Sequence, residues 1–203
     1  MASRLVLALD ETDPARALDI AREVAPFVAK IKINYPLVLT AGLNIVTEIS
    51  KLCPVICDFK VADIPNTNRL ISEAVFNAGA SGIIAHAFPG SESLKAIKDV
   101  DNSKDLYVVI TMSHPKGGEF FDIERFCSIA LEIGATGVVA PATRPEDVSR
   151  IRELVGNLEI ISIQISLSLT DSNLELMTHM KSQNIVCMDL TLNSQIKYLK
   201  VIL

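Results

Sequence analysis

Short β-branched apolar runs alternate along this chain with longer stretches in which apolar residues recur every three to four positions. The runs are Leu5–Leu9, Ala29–Ile33, Pro54–Asp58, Gly82–His86, Leu106–Ile110, Gly137–Ala140 and Leu158–Ser162, and Asn184–Met188 is a candidate eighth. Helical spacing falls between them, over Pro14–Val24, Pro36–Ser50, Asn66–Asn77, Ser91–Val100, Ile123–Ile133 and Pro145–Val155. Strand and helix taking turns in this way predict parallel strands joined by crossover helices. Asp13-Pro14 and Arg144-Pro145-Glu146-Asp147 set a proline early with acids beside it, as a helix start requires.

Two architectures fit such alternation, a (β/α)₈ barrel and an open doubly wound sheet, and they differ in where polar residues collect. A barrel gathers its chemistry at the C-terminal ends of many strands. Here Asp10 follows the first run, Lys32 and Asn34 end the second, Asp58 and Lys60 the third, and His86 the fourth. Met112-Ser113-His114 follows the fifth and Pro141-Ala-Thr-Arg144 the sixth. No G-x-G-x-x-G follows the first strand, which argues against a dinucleotide site. The expectation is therefore an α/β chain folded as one (β/α)₈ TIM barrel over residues 1–203, with its last one or two β/α units atypical. A length of 203 is near the lower limit for a fold that typically takes about 250 residues.

Composition narrows the function classes. With 49% hydrophobic and 21% charged residues and a mean hydropathy of +0.36, the chain can bury enough surface to offset its conformational entropy. Its 24 acidic against 19 basic residues give a net charge of −5 and no basic footprint for nucleic acid. No apolar run approaches the roughly 18 residues of a membrane span, and Met1-Ala2-Ser3-Arg4 leads straight into a strand, so a cytoplasmic protein without a membrane partner is expected. Cys53, Cys57, Cys127 and Cys187 read as buried thiols, because the single C-x₃-C pair lacks a second ligand pair for zinc.

The densest chemistry lies in Cys57-Asp-Phe-Lys-Val-Ala-Asp-Ile-Pro65. Residues two apart on a strand share a face, so Asp58 and Lys60 point together into the barrel mouth while Phe59 points away. Asp63 lies beyond the strand, where it can turn back toward that lysine or reach a neighbouring subunit. Lys32 adds a cation from the adjacent strand, giving an alternating Lys-Asp-Lys-Asp array. One reading is a structural ion-pair network, since such networks also perturb ionisation without doing chemistry. The other is catalytic: burying charges is costly, and a lysine held between carboxylates stays protonated and is suited to deliver a proton. His86 and His114 sit beside apolar or turn residues and are expected to pack or hydrogen-bond rather than to act as bases. His114-Pro-Lys-Gly-Gly118 reads as a lid loop, and Thr143-Arg144 as a strand-end and helix-cap device.

Six segments carry a family resemblance. Leu7-Ala-Leu-Asp10, Ile31-Lys-Ile-Asn-Tyr-Pro-Leu-Val-Leu39, Asp58-Phe-Lys-Val-Ala-Asp-Ile-Pro-Asn-Thr-Asn68, His86-Ala-Phe-Pro-Gly90, Thr111-Met-Ser-His-Pro115 and Pro141-Ala-Thr-Arg-Pro145 resemble archaeal-type orotidine 5′-phosphate decarboxylases over about residues 4–162. Asp-x-Lys-x-x-Asp alone is also similar to hexulose-phosphate synthases and keto-gulonate-phosphate decarboxylases; the flanking Lys-Ile-Asn-Tyr-Pro and Met-Ser-His-Pro segments narrow it. The resemblance implies cofactor-free, metal-free decarboxylation of orotidine 5′-phosphate to UMP, the last step of pyrimidine nucleotide synthesis, in a homodimer with shared sites. It implies that Lys60 is the proton donor, that Asp58 sits against the departing carboxylate, and that Lys32 and Asp10 contact the ribose and orient the charges. It further implies that Asp63 and Thr67 enter the partner's site, that Ile64 contacts substrate and that Ser113 holds the pyrimidine. Two other functions stay open: an Mg²⁺-dependent sugar-phosphate lyase of the same superfamily, and a non-catalytic dimeric barrel.

The tail departs from this pattern. All nine glycines lie at or before Gly156, all nine prolines at or before Pro145, the last arginine is Arg152 and the last alanine Ala142. The resemblance implies glycine-rich loops and an arginine after strands seven and eight to hold a phosphate, as barrels often do. Ser162-Ile-Gln-Ile-Ser-Leu-Ser-Leu-Thr-Asp171 and Val186-Cys-Met-Asp-Leu190 stand there instead. Either Ser and Thr hydroxyls replace the backbone cradle, or the gene end is altered or read out of frame. Loss of one charge-assisted contact predicts a roughly ten- to hundredfold impairment.

Overall fold

The computed structural model describes residues 5–163 and 188–189. It begins with β1 (Val6–Leu9), then α1 (Pro14–Val24), a short 3₁₀ turn (Ala25–Phe27) and β2 (Lys30–Asn34). Next come α2 (Tyr35–Ala41), α3 (Asn44–Ser50), β3 (Val55–Val61), α4 (Pro65–Asn77), β4 (Gly82–His86), α5 (Ser91–Lys98) and β5 (Asp105–Val109). The described elements end with α6 (Ile123–Glu132), β6 (Gly137–Pro141), α7 (Pro145–Val155), β7 (Glu159–Ile163) and β8 (Met188–Asp189). The strands form one parallel sheet in the order β7-β6-β5-β4-β3-β2-β1-β8. Its curl brings Cα atoms of β7 and β8 within 8 Å of each other, the geometry of a TIM barrel.

Local signals account for most element ends. Asp13 caps α1, its carboxylate accepting from Ala15 N (2.9 Å) and Arg16 N (3.0 Å), with Pro14 in the first turn. Ala17, Ile20, Ala21 and Val24 then bury one helical face. The single helix expected over Pro36–Ser50 is instead two. Gly42 adopts φ 71° at the end of α2, where glycine carries no Cβ penalty, and its N–H closes the last turn on Val38 O. The eighth strand, expected over Asn184–Met188, is described at Met188–Asp189, paired at Leu7↔Met188 and Ala8↔Asp189; the rest of that expectation lies outside the described residues. Cys53, Cys57 and Cys127 are buried free thiols, as expected, while Cys187 lies outside the described residues.

Two apolar layers follow from strand alternation. Outward-facing residues such as Leu7, Leu9, Ile31, Ile33 and Ile83 pack against the helices. Inward-facing Val6, Ile56, Ile84, Tyr107, Val109, Val139 and Ile161 fill the barrel. Below them a polar tie crosses the interior: Lys30 Nζ donates to Asp105 Oδ2 and to the Tyr107 hydroxyl oxygen (2.7 Å each), and the Tyr107 hydroxyl donates to Glu159 Oε2 (2.6 Å). This tie joins β2, β5 and β7 at the end opposite the strand C-termini and leaves those termini to carry function.

Candidate active site

A cavity of about 280 Å³ opens at the C-terminal ends of the strands. Asp10, Lys32, Asn34, Asp58 and Lys60 line one wall, and Thr111, Met112, Ser113 and Pro141 are on the other. The register explains the first wall, because Ala8 pairs Lys32 and Asn34 pairs Asp58 on adjacent strands. Asp58 is the hub. Its Oδ2 accepts from Lys32 Nζ (3.0 Å) and its Oδ1 from Lys60 Nζ (2.8 Å). Lys32 and Asp58 are 3% and 4% exposed, whereas the Lys60 side chain is 33% exposed and lines the cavity. The buried pair therefore supports a cation that a ligand can touch.

Burial pushes the Asp58 carboxyl up, but the charges of Lys32 and Lys60 and their hydrogen bonds outweigh it and hold the group below the usual carboxylate range. Neighbouring Cys57 is pushed up to about 12 by burial and then by the Asp58 charge, so it is no nucleophile at neutral pH.

Regular strand alternation does not produce this geometry by itself. β3 runs three residues past its expected end at Asp58, its register shifts between Cys57 and Val61, and Lys60 adopts φ 45°. A non-glycine residue in that region is strained, and such strain gathers at functional sites. The Lys60–Asp58 contact lies within this irregular stretch. Phe59 does point away, stacked on Tyr35 with ring centroids 4.5 Å apart.

Of the remaining expected site residues, Asp10 and Ser113 lie on the cavity wall. Asp10 Oδ1 accepts from Asn34 Nδ2 (2.6 Å), which adds Asn34 to the residues expected at the site. Its signal is the inward alternation Lys30, Lys32, Asn34. Asp63, Ile64 and Thr67 do not line the cavity of their own chain. The Asp63 carboxylate accepts from Ile64 N (2.7 Å), and among the described residues Lys60 forms its ion pair with Asp58. Within one chain the array thus has three members.

His86 packs against Phe88 and Phe121, with centroids at 5.1 and 5.9 Å, and its Nδ1 is buried without a hydrogen bond among the described residues. Burial, then the Lys60 charge, lowers its pKa, while Asp58 opposes this. A histidine held neutral in the fold stabilises the protein fully above its ordinary value near 6.5, and that stability is lost as pH falls through 6.5 toward the lowered folded value. The urea midpoint should drop between about pH 7 and pH 5.5, and less in His86→Phe; equal slopes in the two proteins would refute this.

The loop after β5 leaves from the cavity wall at Met112 and Ser113. Lys116 has φ 63°, and a Cβ on Gly117 would lie 2.7 Å from the His114 ring, so glycine is required there. Thr143-Arg144 is a strand-end device, but the Arg144 side chain makes no cap hydrogen bond to α7. Its guanidinium instead pairs with Asp147 and reaches across to Thr111 and Met112, just past the end of β5, which pairs with β6.

Residues 3–185 match the sequence profile of the orotidine 5′-phosphate decarboxylase / HUMPS family. Orotidine 5′-phosphate decarboxylase of Methanococcoides burtonii is 58% identical over 165 residues, covering 79% of this chain and 77% of the relative. The Methanosarcina mazei decarboxylase is 52% identical over 163 residues, 78% and 74% of the two chains. Among solved structures, the Pyrococcus horikoshii decarboxylase superposes with a TM-score of 0.86 at 33% identity over 98% of this chain and 96% of that one. The Methanocaldococcus jannaschii enzyme, solved with the inhibitor BMP, gives 0.81 at 36% identity over 93% and 89%. With a Lys-Asp-Lys cluster at the mouth of a parallel barrel and this likeness over most of its length, the chain belongs to the orotidine 5′-phosphate decarboxylase / HUMPS family.

Proposed function

We propose that this chain decarboxylates orotidine 5′-phosphate to UMP, with Lys60 as the proton donor. The observation that carries the mechanism is the Lys60 ammonium, fixed by Asp58 at 2.8 Å and facing the cavity. As the bond to the carboxylate breaks and CO₂ leaves, the electron pair stays on the pyrimidine carbon. A preorganised cation stabilises that charge and then donates its proton to the carbon. Water reprotonates the amine. Asp58 and Lys32 hold Lys60 in place and charged, and Asp58 also faces the departing carboxylate. Asp10 and Lys32 take the ribose hydroxyls, and Ser113 the pyrimidine.

The working unit is a cytoplasmic homodimer in which Asp63, Ile64 and Thr67 complete the partner's site. Their absence from their own cavity supports this reading. So does the exposed apolar surface on the adjacent β2–α2 and β3–α4 units, where Leu39 is 81% and Ile64 64% exposed. A shared site predicts that mixing Lys60→Ala with Asp63→Ala chains restores activity that neither has alone.

Apart from Ser162, Ile163, Met188 and Asp189, the segments expected to hold the phosphate fall outside the described residues, and their sequence lacks glycine and arginine. Since remote phosphate binding lowers the barrier at the reacting carbon, turnover should be about ten- to a hundredfold below that of the Methanococcoides burtonii relative. Loss of orotidine 5′-phosphate absorbance measures it. A folded chain that neither turns over this nucleotide nor binds UMP by calorimetry would refute the proposal, and Mg²⁺-dependent turnover of a hexulose phosphate would assign it to the other branch of the family.

A further inference from the structure

Arg144 joins three segments at the rim of the site. Its Nε meets Asp147 Oδ2 in the first turn of α7 at 2.6 Å. Its Nη2 donates to Thr111 Oγ1 and to Met112 O, 2.8 Å each, at the end of β5. The third contact is steric: a Cβ built on Gly118 would lie 3.2–3.3 Å from the guanidinium carbon and both terminal nitrogens. Gly118 therefore rests against the guanidinium, and the loop from His114 to Phe121 approaches the barrel there. Thr143 Oγ1 adds a long contact to Ser113 O at 3.5 Å.

We propose that Arg144 is a positioning residue: its guanidinium is the seat on which the loop after β5 docks, and it sets Ser113 over the cavity by fixing Thr111 and Met112. The proposal rests on the decarboxylase reading only for its kinetic readout. The guanidinium is suited to this task because its rigid fork satisfies a carboxylate, a hydroxyl and a carbonyl at once while presenting a flat surface. A lysine donates from a single nitrogen, so it lacks the planar fork that reaches partners on separate segments, and it would offer no flat seat.

Two substitutions test the seat together. Arg144→Ala and Gly118→Ala should each lower kcat/KM for orotidine 5′-phosphate by about tenfold, the scale of one or two misplaced hydrogen bonds. In the double variant, Gly118→Ala should add less than about twofold, because the surface that its methyl displaces is gone. Guanidinium ion in solution should partly rescue Arg144→Ala, and Arg144→Lys should not behave as native. An activity-independent readout is trypsin cleavage after Lys116, which should be faster in Arg144→Ala than in the native chain. Additive effects in the double variant, or native cleavage rates and kinetics in Arg144→Ala, overturn the proposal. A lowered thermal midpoint with kcat/KM per folded enzyme unchanged also overturns it and leaves Arg144 a purely structural residue. Should the native chain lack decarboxylation, the cleavage experiment still decides the seat, so the two failures are distinguishable.

Discussion

Lys60→Ala should abolish decarboxylation, lowering kcat by about 10⁴-fold or more while leaving the fold intact. The size follows from the two tasks lost together: a positioned general acid contributes about 10²–10⁴-fold and a preorganised charge about 10²–10³-fold. The fold should survive because Lys60 is the most exposed of the three charges, and Asp58 retains its hydrogen bond from buried Lys32. Removing Lys60 also removes the strained φ of 45° at a lysine only if the backbone relaxes, so Lys60→Gly gives a useful second variant. Both should be inactive, and Lys60→Gly should be at least as stable as Lys60→Ala. Single-turnover assays with orotidine 5′-phosphate and urea denaturation measure the two quantities. Retention of full turnover in Lys60→Ala would end any mechanism in which Lys60 delivers the proton.

Asp58→Ala should act on stability as strongly as on chemistry. Asp58 is the one carboxylate that both lysines share among the described contacts, and deleting it leaves the Lys32 ammonium buried beside a second cation. Breaking a buried pair by removing one partner costs about 3–5 kcal/mol, because the remaining charge loses its compensation. Asp58→Asn keeps the shape and one acceptor, so it should cost less while still impairing turnover. Because the folded pKa of Asp58 is lowered, its stabilising contribution is present above the ordinary carboxylate value near 3.9 and is lost as pH falls through that value toward the lowered one. Urea titrations of the native chain and both variants at neutral pH give the comparison. A native-like midpoint in Asp58→Ala would mean that Lys32 finds other compensation.

Much of this site is legible in the order of the amino acids. Lys32, Asp58 and Lys60 stand at strand ends, and a strand end in a parallel barrel is a place in space as well as in sequence. Asp10 and Ser113 follow by the same logic, and both line the cavity. Asn34 is visible at a strand end, but its amide gives no hint that it holds Asp10. Arg144 looks local, a residue at a helix start, because its partners Thr111 and Met112 are more than thirty positions away. Asp63 lies three residues beyond Lys60, yet its carboxylate turns to its own chain's next amide.

The sequence by itself determined the alternation of strands and helices, the inward face of each strand and the sign of each charge at the mouth, because periods of two and 3.6 are local properties of the backbone. It also determined that the tail from residue 157 has a composition unlike the rest. Tertiary structure alone decided that β3 breaks its pleat at Lys60, that Asp58 is shared between two cations, and that the ends of β5 and β6 are clasped by one guanidinium. Those features depend on which strands become neighbours and in what register. No local period encodes a contact between strands such as Lys32 to Asp58, or the register shift between β3 and β4 within which Lys60 takes its positive φ.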